Sequence, residues 1–326
     1  MLIIINNFAA KARRSWPIIQ KQLDAANITC LVHETTAPGD ATTRTRAALR
    51  AGVETVVVVG GDGTLSEAAE GFFEFNSDPA LLPTQINPAA TLAILPTGTG
   101  DDFARGLHGR RVPLQEWIQK LLSHCLGETN NSHAIDILYG LCDGFEKPFI
   151  CLNASTMGIG GETAGRVSAQ GKFMRRFSGE FRFVFAALGA LATWRERRVR
   201  VAVDGQTVAD GPMNLVAVAN GLYAGGGMMF SPDARIDDGR LDVMTASGLT
   251  RANVITELSR IHAGGHLKNP KITIARGTIA TIETLLEQDA MPLEADGNVR
   301  GVTPARFEVM PQALRFIWPR LPTPEL

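Results

Sequence analysis

Val56-Val57-Val58-Val59 runs straight into Gly60-Gly61-Asp62-Gly63-Thr64-Leu65, and from Ser66 the chain takes on helical character. A β-branched apolar run, a glycine turn and a helix in succession predict a strand whose C-terminal end opens onto a ligand. Three glycines in four positions let the backbone turn sharply and approach that ligand with no Cβ in the way. The N–H groups of the turn and of the first helical turn point outward, which suits a phosphate. Asp62 is out of keeping with a bare phosphate cradle, because a carboxylate beside a polyphosphate is repelled. It needs a divalent metal between the two, or the task of accepting a substrate proton. A tight turn closed by an aspartate cap is the plainer alternative.

A second turn, Pro96-Thr97-Gly98-Thr99-Gly100, follows the apolar run Leu92-Ala93-Ile94-Leu95 and leads into Asp101-Asp102-Phe103-Ala104-Arg105-Gly106-Leu107. Thr97 and Thr99 offer hydroxyls, and Gly98 and Gly100 offer unobstructed N–H groups. Two strand ends about 35 residues apart can therefore present donors to one polyphosphate. Neither turn is a GxxxxGK[ST] loop, and no GxGxxG follows the opening strand Leu2–Ile5.

The chain of 326 residues is 45% hydrophobic with a net charge of −1, enough to bury two cores and without the positive charge of a nucleic-acid binder. Cys30, Cys125, Cys142 and Cys151 have neither CxxC nor disulfide-framework spacing, so the reading is a reducing cytoplasm. Residues 1–5 form a first strand and lack the basic start of a signal peptide. The longest apolar stretch, residues 183–194, is too short to span a bilayer.

Over roughly residues 1–130 short apolar strands alternate with helical patterns: a strand near 28–33, a helix over 40–51, then the two glycine turns. This order predicts a parallel sheet with helices on both faces. From 134 the rhythm changes to alternating or continuous apolar runs broken by Asp-Gly and Gly-rich turns at 204, 210, 225–227, 238 and 296, which predicts a mainly antiparallel β domain over 134–304.

Lys11, Arg13 and Arg14 put positive charge at the start of the first helix, where a terminal phosphate can use it. Asp237, Asp238 and Asp242 lie within six residues around a glycine, a set rich enough in oxygen for Mg²⁺, or else a solvated surface turn. His262 and His266 have helical i, i+4 spacing, but two glycines intervene and no third ligand is near, which disfavours zinc. Arg105 is placed to pair with Asp101 or Asp102. Residues 166–200 hold Arg166, Lys172, Arg175, Arg176, Arg182, Arg195, Arg197, Arg198 and Arg200 against Glu180 and Glu196, nine minus two or +7, with Phe173, Phe177, Phe181 and Phe185 at four-residue spacing. Such a stripe either packs a core or rests on an anionic membrane.

The pattern GGDGTL at 60–65 and PTGTGDDFAR at 96–105, with NGLYAGGGMMFSPDARIDDGRLDV at 220–243, IHAGGHLKNPKI at 261–272 and EADGN at 294–298, resembles the diacylglycerol kinase catalytic-domain family of lipid kinases nearly from end to end. The resemblance implies a Rossmann-like α/β nucleotide domain over 1–130 and a β-sandwich lipid or substrate domain over 134–304. A final strand within 305–318 would return the segment 305–326 to the first domain. It implies an ATP- and Mg²⁺-dependent kinase acting on the hydroxyl of a diacylglycerol-like lipid, cytoplasmic or peripheral at the inner face of the membrane. A NAD kinase-like enzyme and a silent nucleotide- or lipid-binding regulator are the alternatives.

Nucleotide contacts are implied for Asn6, Lys11, Thr35, Gly60, Gly61, Asp62, Gly63, Thr64, Leu65, Thr97, Gly98 and Thr99. The family's structural Mg²⁺ would fall to the Asp238 carboxylate with the carbonyls of Arg235 and Arg240, with Asp237 linked through water or metal to Asp62. Three departures stand out. Asn7, Ala10 and Ala12 replace a proline and two glycines in the first loop, and Asp101 replaces an asparagine. Asn298 stands where the family has the glutamate that accepts the hydroxyl proton, so either Asp296 carries that proton or the chain is slow or inactive.

Overall fold

The computed structural model describes residues 1–144, 147–171, 174, 177 and 179–318. The chain divides into two compact units, Met1–Ile135 with Gln312–Leu326, and Asp136–Pro311. The first contains β1 (Leu2–Ile5), α1 (Ala10–Ala25), β2 (Leu31–Glu34), α2 (Asp40–Arg50), β3 (Thr55–Gly60), α3 (Asp62–Glu70), a hairpin of β4 (Phe73–Glu74) and β5 (Thr84–Gln85), β6 (Thr91–Pro96), α4 (Asp102–His108) and α5 (Leu114–Cys125). From β7 (Ser132–Asp143) the chain runs through β8 (Phe149–Cys151), β9 (Ala154–Gly158), α6 (Ile159–Ser168), α7 (Gly179–Thr193), β10 (Arg197–Val203), β11 (Gln206–Met213) and β12 (Leu215–Ala219). It continues through β13 (Tyr223–Ala224), β14 (Met228–Met229), β15 (Leu241–Ala246), α8 (Arg251–Arg260), β16 (Ile272–Gly277), β17 (Ile279–Thr284), β18 (Pro292–Ala295) and β19 (Asn298–Ile317).

In the first unit β2, β1, β3, β6 and the end of β19 lie side by side, all parallel. Every residue of β1 and residues 56–60 of β3 are buried, as a strand covered on both faces requires. Two boundaries differ from the sequence reading. β2 begins at Leu31 because Asn27, with φ 55°, and the Ile28 N–H bonding to Leu23 O are spent ending α1. Helix α3 begins at Asp62 and not at Ser66, so Asp62, Gly63 and Thr64 form its first turn, where N–H groups have no partner within the helix.

The second unit is antiparallel. β16, β15, β12, β9, β18 and β19 follow one another, and β19 also pairs with β17, which leads to β10 and β11. β19 starts at Asn298, earlier than the expected 305, because the turn at Asp296 and Gly297 reverses β18 directly onto it. The two-residue period of β12 and β15 sorts their side chains into two layers. Val216, Val218, Leu241 and Val243 face the sandwich core, and Ala217, Ala219, Met244 and Ala246 face a second core completed by Leu191 of α7 and Val254 of α8. The sheet is thus packed by strands on one side and covered by helices on the other. No helix among the described residues is long and apolar enough to cross a membrane.

Candidate active site

In the first unit the two glycine turns leave adjacent strands at the same level, since Gly60 of β3 is in register with Pro96 of β6 and the Thr97 N–H donates to Gly60 O at 2.9 Å. They touch through their glycines. A Cβ on Gly61 would stand 3.0 Å from Gly98 Cα, and one on Gly98 would stand 2.7 Å from Gly61 Cα and 2.6 Å from Asp101 Oδ1. A surface made of backbone alone is what a polyphosphate needs in order to approach this closely.

Asp62 joins the turns. Its carboxylate accepts from the Asp102 N–H and the Phe103 N–H, both at 3.0 Å, so it caps α4 from across the site. Burial first, and then the Asp102 charge, push its pKa up to about 7. A carboxylate held this way favours a proton or a cation beside it. Asp101 sits in the left-handed region at φ 49°, turning its carboxylate back so that the Gly98 N–H donates to Oδ1 at 2.8 Å. That corrects the expectation that Gly98 offers an open N–H. Burial raises the Asp101 pKa, opposed by the charges of Lys11 and Arg111.

Lys11 Nζ lies 3.8 Å from Asp101 and donates to Gly98 O at 3.5 Å, so the extra negative charge at 101 is met from α1. Asn6 donates to the Thr64 hydroxyl at 2.8 Å and accepts from the Phe8 N–H at 3.0 Å. Thr97 is buried with its hydroxyl unpartnered among the described residues, whereas Thr99 is exposed on the turn. Thr35 is buried at the C-terminal end of β2, its N–H donating to Ile5 O at 2.9 Å. Leu65 is fully buried and its N–H donates to Gly61 O at 3.1 Å, so it anchors α3 in the core and has nothing left to offer a nucleotide. Arg105 pairs with Asp102 at 3.8 Å and donates to Gly100 O at 3.3 Å. Arg111, which sequence reasoning missed, donates to Thr99 O at 2.6 Å and to Gly100 O at 3.2 Å. The basic pair Arg110-Arg111 just after the second turn was the available signal.

In the second unit Asp296 occupies the turn between β18 and β19 at φ 49° and is buried. It accepts from the Leu152, Asn153 and Ala154 N–H groups at 2.8, 2.9 and 3.3 Å, and Cys151 Sγ lies 3.4 Å away. Burial, then the charge of Asp296, drives the Cys151 thiol well above its ordinary range, so it remains a proton donor. The Asn298 Nδ2 is buried without a partner among the described residues. Glu294, two residues before Asp296, is also buried, and sequence reasoning gave it no role.

Asp237, Asp238 and Asp242 do not converge, and each carboxylate is bound separately. Asp237 accepts from Arg235 Nε at 3.2 Å, and Asp242 is buried and bound by Ser231 and by Arg276 at 2.6 Å. Asp238 turns onto its own loop, accepting from the Arg240 N–H at 3.1 Å. Among the described residues no group of three or more His, Cys, Asp or Glu could hold a metal. The loop is closed from below by Asp136, which accepts from the Gly239 N–H at 2.6 Å while its own N–H donates to Ile236 O. His262 and His266 are placed to hydrogen-bond the carbonyls of Gly227 and Phe230, at 2.9 and 3.3 Å, and belong to the packing of the loop after α8.

Beneath α7 lies an apolar cavity of about 90 Å³, lined by Ile159, Leu191, Leu215, Met228, Met244 and Leu258 among others. The outer face of α7 carries Phe181, Val184, Phe185 and Leu188, each at least half exposed, while Ala190 and Leu191 face inward. The Phe stripe is therefore not core over its described part. Lys172, Phe173, Arg175 and Arg176 lie outside the described residues. Much of the local basic excess is answered within the fold: Arg166 pairs with Glu162, Arg195 with Asp289, and Arg200 with Asp210 and Glu283.

Residues 1–135 match the diacylglycerol kinase catalytic domain, and residues 157–318 match the YegS C-terminal NAD kinase beta sandwich-like domain. The chain carries a diacylglycerol kinase catalytic domain followed by a YegS-type C-terminal domain. It is a lipid kinase. A diacylglycerol kinase of Staphylococcus carnosus is 26% identical over 98% of this chain and 94% of its own length. A protein of Xanthomonas euvesicatoria named "Probable lipid kinase YegS-like" is 27% identical over 86% of this chain and 84% of its own. The crystal structure of a diacylglycerol kinase from Bacillus anthracis shares the fold, with a TM-score of 0.65 at 22% identity, covering 97% of this chain and 96% of that one.

Proposed function

We propose that this kinase transfers the γ-phosphoryl group of ATP to the hydroxyl of a diacylglycerol-like lipid, in a Mg²⁺-dependent reaction. The observation that carries the reading is the Gly61–Gly98 contact, a Cβ-free cradle at two parallel strand ends into which the first turn of α3 opens. Gly60, Gly61, Gly63, Thr64, Thr97 and Thr99 supply its walls, and Lys11 supplies charge to the terminal phosphate. Asn6 holds Thr64 in place, and Thr35 contributes from β2. Asp62 fixes the two turns to each other and, with its raised pKa, suits a site that receives a cation along with the nucleotide.

The second unit takes the acceptor. Asp296, held by three N–H groups, receives the hydroxyl proton as the hydroxyl oxygen forms its bond to the γ-phosphorus and ADP leaves with the bridging oxygen. The Asp238 carboxylate and the carbonyls of Arg235 and Arg240 are all-oxygen donors of the kind Mg²⁺ prefers, and an ion there would pin the loop. The apolar cavity beneath α7 receives the end of a hydrocarbon chain. The exposed aromatic face of α7 rests on the membrane from which the lipid comes.

Incubation with γ-labelled ATP, Mg²⁺ and separate mono- and diacylglycerol, sphingoid base, phosphatidylglycerol and NAD tests the reading. Labelled phosphatidic acid as the main product supports it. Label in NAD alone, or in no lipid, overturns it.

A further inference from the structure

Glu294 is an ionisable group next to the proposed proton acceptor that the mechanism leaves unused. It stands on β18 opposite Thr156 of β9. Oε1 accepts from the Thr156 hydroxyl at 2.6 Å and from the Thr156 N–H at 3.1 Å, and Oε2 accepts from the Gly297 N–H at 2.8 Å. The side chain therefore closes the turn, residues 294–297, that holds Asp296 in its left-handed conformation. A glutamine would keep an acceptor for Thr156 but turn its NH₂ toward the Gly297 N–H, so the clamp uses both oxygens of an ionised carboxylate. Here it is buried, and its charge opposes that of Asp296.

We infer that Glu294 is a positioning residue for Asp296, holding its turn and, by ionising, making it a stronger base in a chain where Asn298 cannot take the proton. The inference rests on the proposed role of Asp296 in phosphoryl transfer. Three N–H groups stabilise the Asp296 carboxylate and weaken it as a base. A second buried negative charge nearby reverses part of that weakening, since each of two coupled carboxylates disfavours the other's ionisation. Burial, followed by a smaller contribution from the Asp296 charge, raises the Glu294 pKa to about 7 against the pull of its hydrogen bonds, so its charge comes and goes in the working range.

Several ionisable groups stand on the elements packed around this pair. Cys151 faces Asp296 and stays protonated. On α6, which packs against β18, Glu162 and Arg166 bind each other at 3.0 Å. On β19, the Arg300 guanidinium lies 5.1 Å from the centre of the Phe149 ring, and Arg306 pairs with Glu308.

The test is the pH dependence of lipid phosphorylation in the full chain at saturating ATP, Mg²⁺ and diacylglycerol. Wild-type kcat is expected to rise with pH through about 7, where Glu294 ionises. Glu294→Gln abolishes that rise and lowers kcat above it by about threefold to tenfold, leaving nucleotide affinity unchanged. Thr156→Val removes only a hydroxyl that favours the charged glutamate, so the rise moves to higher pH; this variant keeps the question open to measurement if the glutamine variant does not fold. A wild-type profile flat from about pH 6 to 8.5 overturns the inference, as does a rise that survives Glu294→Gln, which would assign it to Asp62. So does a rise that Thr156→Val leaves in place. Absence of lipid phosphorylation at every pH instead overturns the proposed function.

Discussion

Gly98 and Gly106 stand eight residues apart and make opposite demands on a side chain. A Cβ on Gly98 meets the Gly61 backbone at 2.7 Å and Asp101 Oδ1 at 2.6 Å, whereas one on Gly106, inside α4, meets nothing within 4 Å. Gly98→Ala is expected to push the two turns apart and cost at least tenfold in ATP affinity, measured by calorimetry. Gly106→Ala is expected to leave affinity unchanged and to stabilise the protein by about 0.5–1 kcal/mol, because alanine gives up less backbone freedom in a helix. Asp62 makes a second prediction at this scale. Its folded-state pKa, about 7, lies above the ordinary 3.8, so its contribution to stability is fully present at low pH and is lost as pH rises through about 7. Denaturant melts of the ligand-free protein at about pH 5 and about pH 7.5 should show wild type losing more stability than Asp62→Asn, by on the order of 1 kcal/mol or more. Equal losses would mean that Asp62 is no more strained than a surface carboxylate.

Among the elements, α7 departs furthest from what its composition suggests. A helix that is apolar all round is normally buried on every side. Here Ala190 and Leu191 close a core while Phe181 is 50% and Phe185 is 58% exposed. Replacing both by serine should leave thermal stability within a few degrees and reduce binding to anionic vesicles by tenfold or more in a sedimentation assay. Unchanged binding would return this face to another role. The stripe's spacing was legible in the sequence, but its direction was not, because i, i+4 periodicity says which residues share a face and not whether that face is covered. The charge count was misleading for a related reason: Asp289, Asp210 and Glu283, which neutralise Arg195 and Arg200, lie outside the stretch or far along the chain. By contrast, the strands at Val56–Val59 and Leu92–Leu95 and both glycine turns were readable directly, since their geometry depends on neighbouring residues alone. The Asp62 cap on Asp102 and Phe103 joins residues 40 positions apart and left no local signal.

At the scale of the whole molecule, the change from alternating helix and strand to antiparallel runs was visible from residue 134 onward. The helical cover on the β12–β15 face was not, because both faces of these strands are apolar and nothing in them distinguishes a strand partner from a helix partner. In the proposed reaction the two units have separate tasks, holding the phosphoryl donor and receiving the acceptor's proton, and these tasks are experimentally separable. A residue that acts only as the bond to phosphorus forms should change turnover and spare the ground-state nucleotide complex. The most direct measurement is therefore lipid phosphorylation and ATP affinity side by side for wild type and Asp296→Asn. The account predicts phosphatidic acid from the wild type, turnover reduced by about 10² or more in the variant, and ATP affinity within about twofold of wild type. Turnover in the variant close to that of wild type would contradict the assignment of the proton to Asp296, and a wild-type protein that phosphorylates no lipid would contradict the account as a whole.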